Sequence, residues 1–266
     1  MPASTPPDGP KIAYDLQGQG RPVILVAGLA SDRQSWGGYE SLLARSARVV
    51  TFDHRGVGAT SAARVPYTIP VLASDVVRLL DLLEIDRADI VGVSMGGMVA
   101  LELAAAHPDR VRSLVLGCTH PGGSLQILPA PSILDRLPSL GKTAEQMVTD
   151  FLAVTHSGHF LSRHPELFEQ TLDRRRKCNF SRRVYVLQLG AILTHDVSDR
   201  LEQIQTPTLV MSGDDDVFVP LANSVLLTER ISGARLSVLH DVGHAFWIEA
   251  PERAAHETIR FLAESG

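Results

Sequence analysis

The apolar positions of this chain fall into short runs separated by longer stretches of helical period, as expected of a parallel sheet covered by helices on both faces. The runs are Val23 to Val26, Val49 to Phe52, Ile90 to Val93, Leu114 to Leu116, Leu209 to Met211 and Leu236 to Leu239. Each ends in a turn signal: Ala27-Gly28, Asp53-His54-Arg55-Gly56, Ser94, Gly117, Ser212-Gly213 and Asp241-Val242-Gly243. These ends matter because ligands of such sheets bind beyond the carboxyl termini of the strands. Between the runs, Val71 to Leu83 carries a helical stripe, and Met95 to Ala106 reads as a helix stopped by Pro108. A last helix is expected from Pro251, well suited to a first helical position, to about Leu262.

From about His120 to Arg200 the alternation stops, and a Pro/Gly-rich connection leads into helices with no strand between them. The helices are expected at Thr143 to Val154, Pro165 to Lys177 and Ser181 to Thr194, the last amphipathic through Val184, Leu187 and Ile192. The predicted organisation is one α/β domain with its core in residues 1–119 and 201–266. Residues 120–200 form a helical cap inserted late in the sheet, at the edge where a site would lie.

Composition narrows the possibilities. A chain of 266 residues with 44% apolar content is long enough for one deep core. A formal charge of -5 gives no basic footprint for phosphate backbones, so nucleic acid is not an expected partner. No apolar run approaches the roughly 20 residues needed to span a bilayer, and Met1 to Pro10 lacks the basic-then-apolar pattern of a secretory signal. The expectation is a cytoplasmic protein acting on a small molecule. Cys118 and Cys178 are too few for a disulfide framework and lack zinc-site spacing, so both are read as free thiols. His156, His159 and His164 fit no common ligand pair and are read as cap or loop residues; neither a metal nor a cofactor is expected.

The chemistry centres on Gly92-Val93-Ser94-Met95-Gly96, which lies between an apolar run and a predicted helix. That setting is the one a nucleophile elbow requires: the turn strains the serine backbone and presses its flanks against neighbouring chain, so Gly92, Gly96 and Gly97 supply the missing side chains. The bland alternative is a tight glycine-rich turn with an idle serine. A serine hydroxyl is a poor nucleophile near neutral pH and needs a base within hydrogen-bond reach, oriented by a carboxylate. Of ten histidines, only His244 combines a strand end, a preceding glycine and a late position. The carboxylate falls in Gly213-Asp214-Asp215-Asp216, after the fifth run, where three adjacent acids compete. A serine nucleophile, in place of aspartate, argues against dehalogenase and epoxide hydrolase chemistry.

Together these stretches resemble the α/β-hydrolase fold enzymes over nearly the whole chain. The resemblance is carried by Ile24 to Leu29, Asp53 to Gly58, the elbow, Gly213 to Pro220, and Gly243-His244 followed by Glu249, Pro251 and Glu252. It is thinnest over the cap. Within the fold the chain looks most like the branch of 3-oxoadipate enol-lactonases, cofactor-free haloperoxidases and small carboxylesterases. The resemblance implies a triad of Ser94, Asp216 and His244, choosing Asp216 over its two neighbours, and an oxyanion hole made by the backbone N–H groups of Leu29 and Met95. One departure is Ala27, where the family often has histidine before the first-loop glycine.

The implied activity is hydrolysis of a carboxylic ester or lactone through an acyl-enzyme. Alternatives are perhydrolase or haloperoxidase chemistry, carbon–carbon bond hydrolysis with the same triad, and a slow or non-catalytic ligand-binding member of the fold. The remaining candidates have plainer readings. His120 is read as a loop histidine bordering the pocket, Asp214 and Asp215 as loop acids capping the segment after Pro220, and Asp241 as an exposed turn acid. Arg55 is expected to bond to loop backbone. Arg174 to Lys177 with Arg182 and Arg183 read as a solvated helix face; the sharper alternative has one of them bind a substrate carboxylate.

Overall fold

The computed structural model describes residues 9–61, 66–136, 141–177 and 181–265. Seven strands form one sheet: Tyr14–Gln17 (β1), Pro22–Val26 (β2), Arg48–Phe52 (β3), Ala88–Val93 (β4), Val111–Gly117 (β5), Thr208–Gly213 (β6) and Arg235–Leu239 (β7). Their spatial order is β1-β3-β2-β4-β5-β6-β7. β1 pairs antiparallel with β3, and every other pairing is parallel. All six apolar runs lie in strands. β1 escapes a search for such runs because it is an edge strand reading Tyr-Asp-Leu-Gln, with only Tyr14 buried.

Because side chains alternate along a strand, each buried strand feeds two cores. Ile24, Val26, Val50, Phe52, Ile90, Leu114, Leu116 and Val210 face one layer. Val23, Leu25, Val49, Val91, Val93, Val115, Leu209 and Met211 face the other. The first layer is covered by Ile69–Leu82 (α2) and Met95–Ala106 (α3), and the second by Tyr39–Leu43 (α1) and a C-terminal helix. α3 is buried on nearly all sides, as its apolar composition around the whole helix requires.

Between β5 and β6 come Pro131–Leu134 (α4), Ala144–Thr155 (α5), Gly158–Arg163 (α6), Glu166–Lys177 (α7) and Arg182–Leu193 (α8). Thr143 and Gln146 close a reciprocal capping box at the start of α5, with bonds of 3.2 and 2.9 Å. α5 and α7 share a small cluster of Val148, Leu152 and Leu172, whereas α8 enters the main core through Ala191. The chain finishes with Leu221–Arg230 (α9), Phe246–Glu249 (α10) and Pro251–Glu264 (α11). Among the described residues no helix is long and apolar enough to cross a membrane. Since β4 to β7 run parallel, the turns bearing Ser94, Cys118, Asp216 and His244 emerge at one edge of the sheet.

Candidate active site

Ser94 stands between β4 and α3 at φ 54° and ψ -123°. A non-glycine residue held there costs about 1–3 kcal/mol, which the surrounding structure must offset. A side chain on Gly96 would run into the carbonyl of Val26, one on Gly92 into the carbonyl of Gly96, and one on Gly97 would lie 2.5 Å from Thr119 Cβ. The three glycines are therefore steric requirements of the turn. The Ser94 N–H donates to the Gly117 carbonyl at 2.8 Å, and the Ser94 carbonyl accepts the Thr119 hydroxyl at 2.8 Å.

The loops after β6 and β7 bring Asp216 and His244 together. His244 Nδ1 meets Asp216 Oδ2 at 2.8 Å, and both residues are buried. The other oxygen, Oδ1, accepts the N–H groups of Phe218 at 2.9 Å and Val219 at 2.8 Å. Asp216 thus braces the turn before Pro220, and the capping of the segment after Pro220 expected of Asp214 and Asp215 is not made, since α9 has no side-chain cap. Asp214 instead bonds His240 Nδ1 at 2.8 Å and the Asp241 N–H at 2.7 Å, while Asp215 and Asp241 are exposed. The rings of Phe218 and Trp247 stand edge-on to the imidazole, with centroids at 5.1 and 6.3 Å. With Nδ1 turned to the carboxylate, Nε2 is the nitrogen left to handle a proton.

The elbow and this pair meet at Cys118. Its Sγ, a carboxylate oxygen of Asp216 and a ring nitrogen of His244 lie within 4.8 Å of one another. Ser94 is bonded through its backbone to Gly117 and Thr119, the residues on either side of that cysteine. Complete burial, with the Asp216 carboxylate beside it, pushes the Cys118 thiol well up. It is therefore an S–H donor beside the carboxylate. Nothing in its sequence spacing marks Cys118 for this position. Cys178 lies outside the described residues.

The loop after β2 passes directly beside the serine: a Cβ on Gly28 would stand 3.3 Å from Ser94 Cβ and 3.8 Å from Oγ. His54 Nε2 donates to the Ala27 carbonyl at 3.0 Å, so a buried histidine from the β3 loop steadies the turn although residue 27 is alanine. Ala30 adopts φ 58°, and its N–H donates to Gln188 Oε1 from α8 at 2.8 Å. Leu29 lies between these two anchors. Met95 opens α3, where a backbone N–H has no partner one turn back.

Other expected residues take distinct places. His120 and His156 do lie in loops, but both are buried; burial, with His244 nearby, pushes each down to about 4. His195 is also held at about 4, chiefly by burial. His159 and His164 are exposed. Arg55 does not bond loop backbone: it makes two 2.6 Å bonds to Asp75 and lies 5.5 Å from the Tyr67 ring centroid. The buried Asp75 carboxylate on α2 requires such a partner, which no loop carbonyl could supply. Arg182 and Arg183 are exposed at the start of α8 and Arg174 is half-buried; the side chains of Arg175, Arg176 and Lys177 lie outside the described residues. Glu249 accepts the Ser157 N–H at 3.0 Å and its hydroxyl at 2.7 Å, and the Ala245 N–H donates to the Thr155 carbonyl at 2.7 Å. The segment carrying His244 is thereby fastened to the end of α5.

Residues 21–251 match the sequence profile of a family described as the alpha/beta hydrolase fold. A poly(3-hydroxyalkanoate) depolymerase of Ectopseudomonas oleovorans is 33% identical over 243 residues, covering 91% of this chain and 84% of that protein. Among solved structures, the enol-lactonase of Burkholderia xenovorans LB400 superposes with a TM-score of 0.85 at 26% identity, covering 98% of this chain and 100% of that one. A hydrolase of Pseudomonas aeruginosa PA01 gives 0.83 at 28% identity, with coverage of 98% and 97%.

Proposed function

The chain belongs to the alpha/beta hydrolase fold family, and from that premise we propose that it hydrolyses a carboxylic ester or lactone through an acyl-enzyme on Ser94. The observation that carries the reading is the buried 2.8 Å bond between Asp216 and His244 Nδ1, at the sheet edge where Ser94 occupies a strained turn. His244 takes the Ser94 proton through Nε2 as Oγ adds to the substrate carbonyl, while Asp216 holds the ring and stabilises its charged form. The oxyanion is held by the N–H groups of Leu29 and Met95, each such donor being worth about 3 kcal/mol of barrier in comparable sites. Collapse of this intermediate, with His244 protonating the leaving alcohol, gives the acyl-enzyme. Water deprotonated by His244 then releases the acid. The helices between β5 and β6 act as the cap that shapes the acyl and alcohol pockets.

The names of the similar proteins, a polyester depolymerase and an enol-lactonase, support an oxygen-ester carbonyl as the substrate group. The test is a panel of p-nitrophenyl esters of increasing length beside a set of lactones, with a serine-directed phosphonate as label. Hydrolysis and labelling are expected for the native protein, and both should vanish in Ser94→Ala. Activity retained in that variant ends the proposal.

A further inference from the structure

Gln188 is a buried polar side chain on the otherwise apolar inner stripe of α8, flanked one turn away by Val184 and Ala191. Its Oε1 accepts the Ala30 N–H at 2.8 Å, a contact spanning 158 residues of sequence. Because a backbone N–H can be met only by an acceptor, the orientation of the carboxamide is fixed: oxygen toward Ala30, nitrogen away. That nitrogen is buried and has no hydrogen-bond partner. A half-satisfied amide in the interior carries a desolvation cost, offset here by the bond that meets the otherwise unpaired buried Ala30 N–H. It stands where the chain departs from ordinary backbone geometry, since Ala30 is held at φ 58°. The loop so held includes Gly28, against Ser94, and Leu29, the donor assigned to the oxyanion.

We infer that Gln188 is a positioning residue that locks the Gly28–Ala30 loop from the helical insertion, so that the Leu29 N–H is aimed at the oxyanion before substrate arrives. The inference rests on the proposed acyl-enzyme mechanism. α8 suits the task because it is the insertion helix that reaches the main core, through Ala191, and so offers the loop a rigid support. Backbone donors act catalytically only when fixed in place beforehand, and a misplacement of about 1 Å costs on the order of 100-fold in rate.

The test compares the native protein with Gln188→Met, which keeps length and volume but removes the acceptor. Expected are a fall of about 10- to 100-fold in kcat and in the second-order rate of phosphonate labelling, a KM within about twofold, and a modestly lower Tm, because the buried Ala30 N–H is left without an acceptor. Unchanged labelling and turnover overturn the inference. So does a loss carried by a raised KM with kcat and the labelling rate unchanged, since that is the mark of a loosened site and not of a misaimed oxyanion donor. Failure of the native protein to hydrolyse any ester or lactone would instead refute the mechanism, and that measurement does not involve the variant.

Discussion

The sheet and the helices inserted between β5 and β6 are held together by different means. In the sheet, every central strand feeds apolar side chains into two continuous cores, and substitution there is felt on both sides. In the insertion, α5 and α7 meet over a cluster whose fully buried members are Val148, Leu152 and Leu172, while α8 leaves that cluster to join the main core. The contrast teaches where precision resides: the chemical groups stand on the rigid part, and the layer above is anchored to it at a few polar contacts, Gln188 to Ala30 and Ser157 to Glu249.

The strongest challenge to this contrast is Asp216→Asn. The carboxamide oxygen can still accept from Phe218 and Val219, so Tm should hold while kcat on a p-nitrophenyl ester falls about 10⁴-fold, because the imidazole is left in the wrong tautomer. Next in size is Gly96→Ala, whose methyl group has no room beside Val26; a loss of about 3 kcal/mol or more is expected in urea unfolding.

Acid weighs more on the insertion, since His120, His156 and His195 belong to the segment between β5 and β6, whereas the sheet region has His54, in the loop after β3, lowered by burial in the same direction. Each of the first three is held at about 4 in the folded protein against an ordinary value of 6.5. Above pH 6.5 neither state is protonated and stability is complete. As pH falls from 6.5 toward 4 the unfolded chain binds protons first, and stability is lost. Glu249, raised by burial, acts in the opposite sense and keeps its proton longer when folded. A drop in Tm of roughly 5–10 °C between pH 6.5 and 5 is expected, with hydrogen exchange rising in the insertion before the sheet. Equal loosening of both would dissolve the distinction.

Smaller effects sharpen it. Leu152→Ala should cost about 2 kcal/mol, read as faster proteolysis within the insertion while the sheet stays protected. Thr143→Ala, which opens the capping box of α5, should cost about 1 kcal/mol in the same assay.

The sheet was legible in the sequence because buried parallel strands leave unbroken apolar runs, and the candidates Ser94, His244 and the three acids after Gly213 could be found because each closes or follows one of those runs, whereas Asp216 was singled out only by the family resemblance. β1 and α1 were not legible. The former is a short edge strand whose apolar Leu16 is exposed beside Gln17, and the latter is five residues entered from Gly37-Gly38. Gln188 left a readable trace, a lone polar residue on the buried stripe of α8, but its partner was 158 positions away and no periodicity points across such a gap. Arg55 went to Asp75 for the same reason: the need of a buried carboxylate on a separate helix is invisible from the loop that answers it. Cys118 gave no local sign at all, because its placement beside Asp216 follows from strand order alone.

The three bonds tying Thr155 and Ser157 to Ala245 and Glu249 constrain how the end of α5 can move. Prising the end of α5 outward would tug the chain just after His244 and pull on the ring held against its carboxylate. On the proposed mechanism, a substrate is expected to arrive by a flank of the helical layer that leaves these tethers closed.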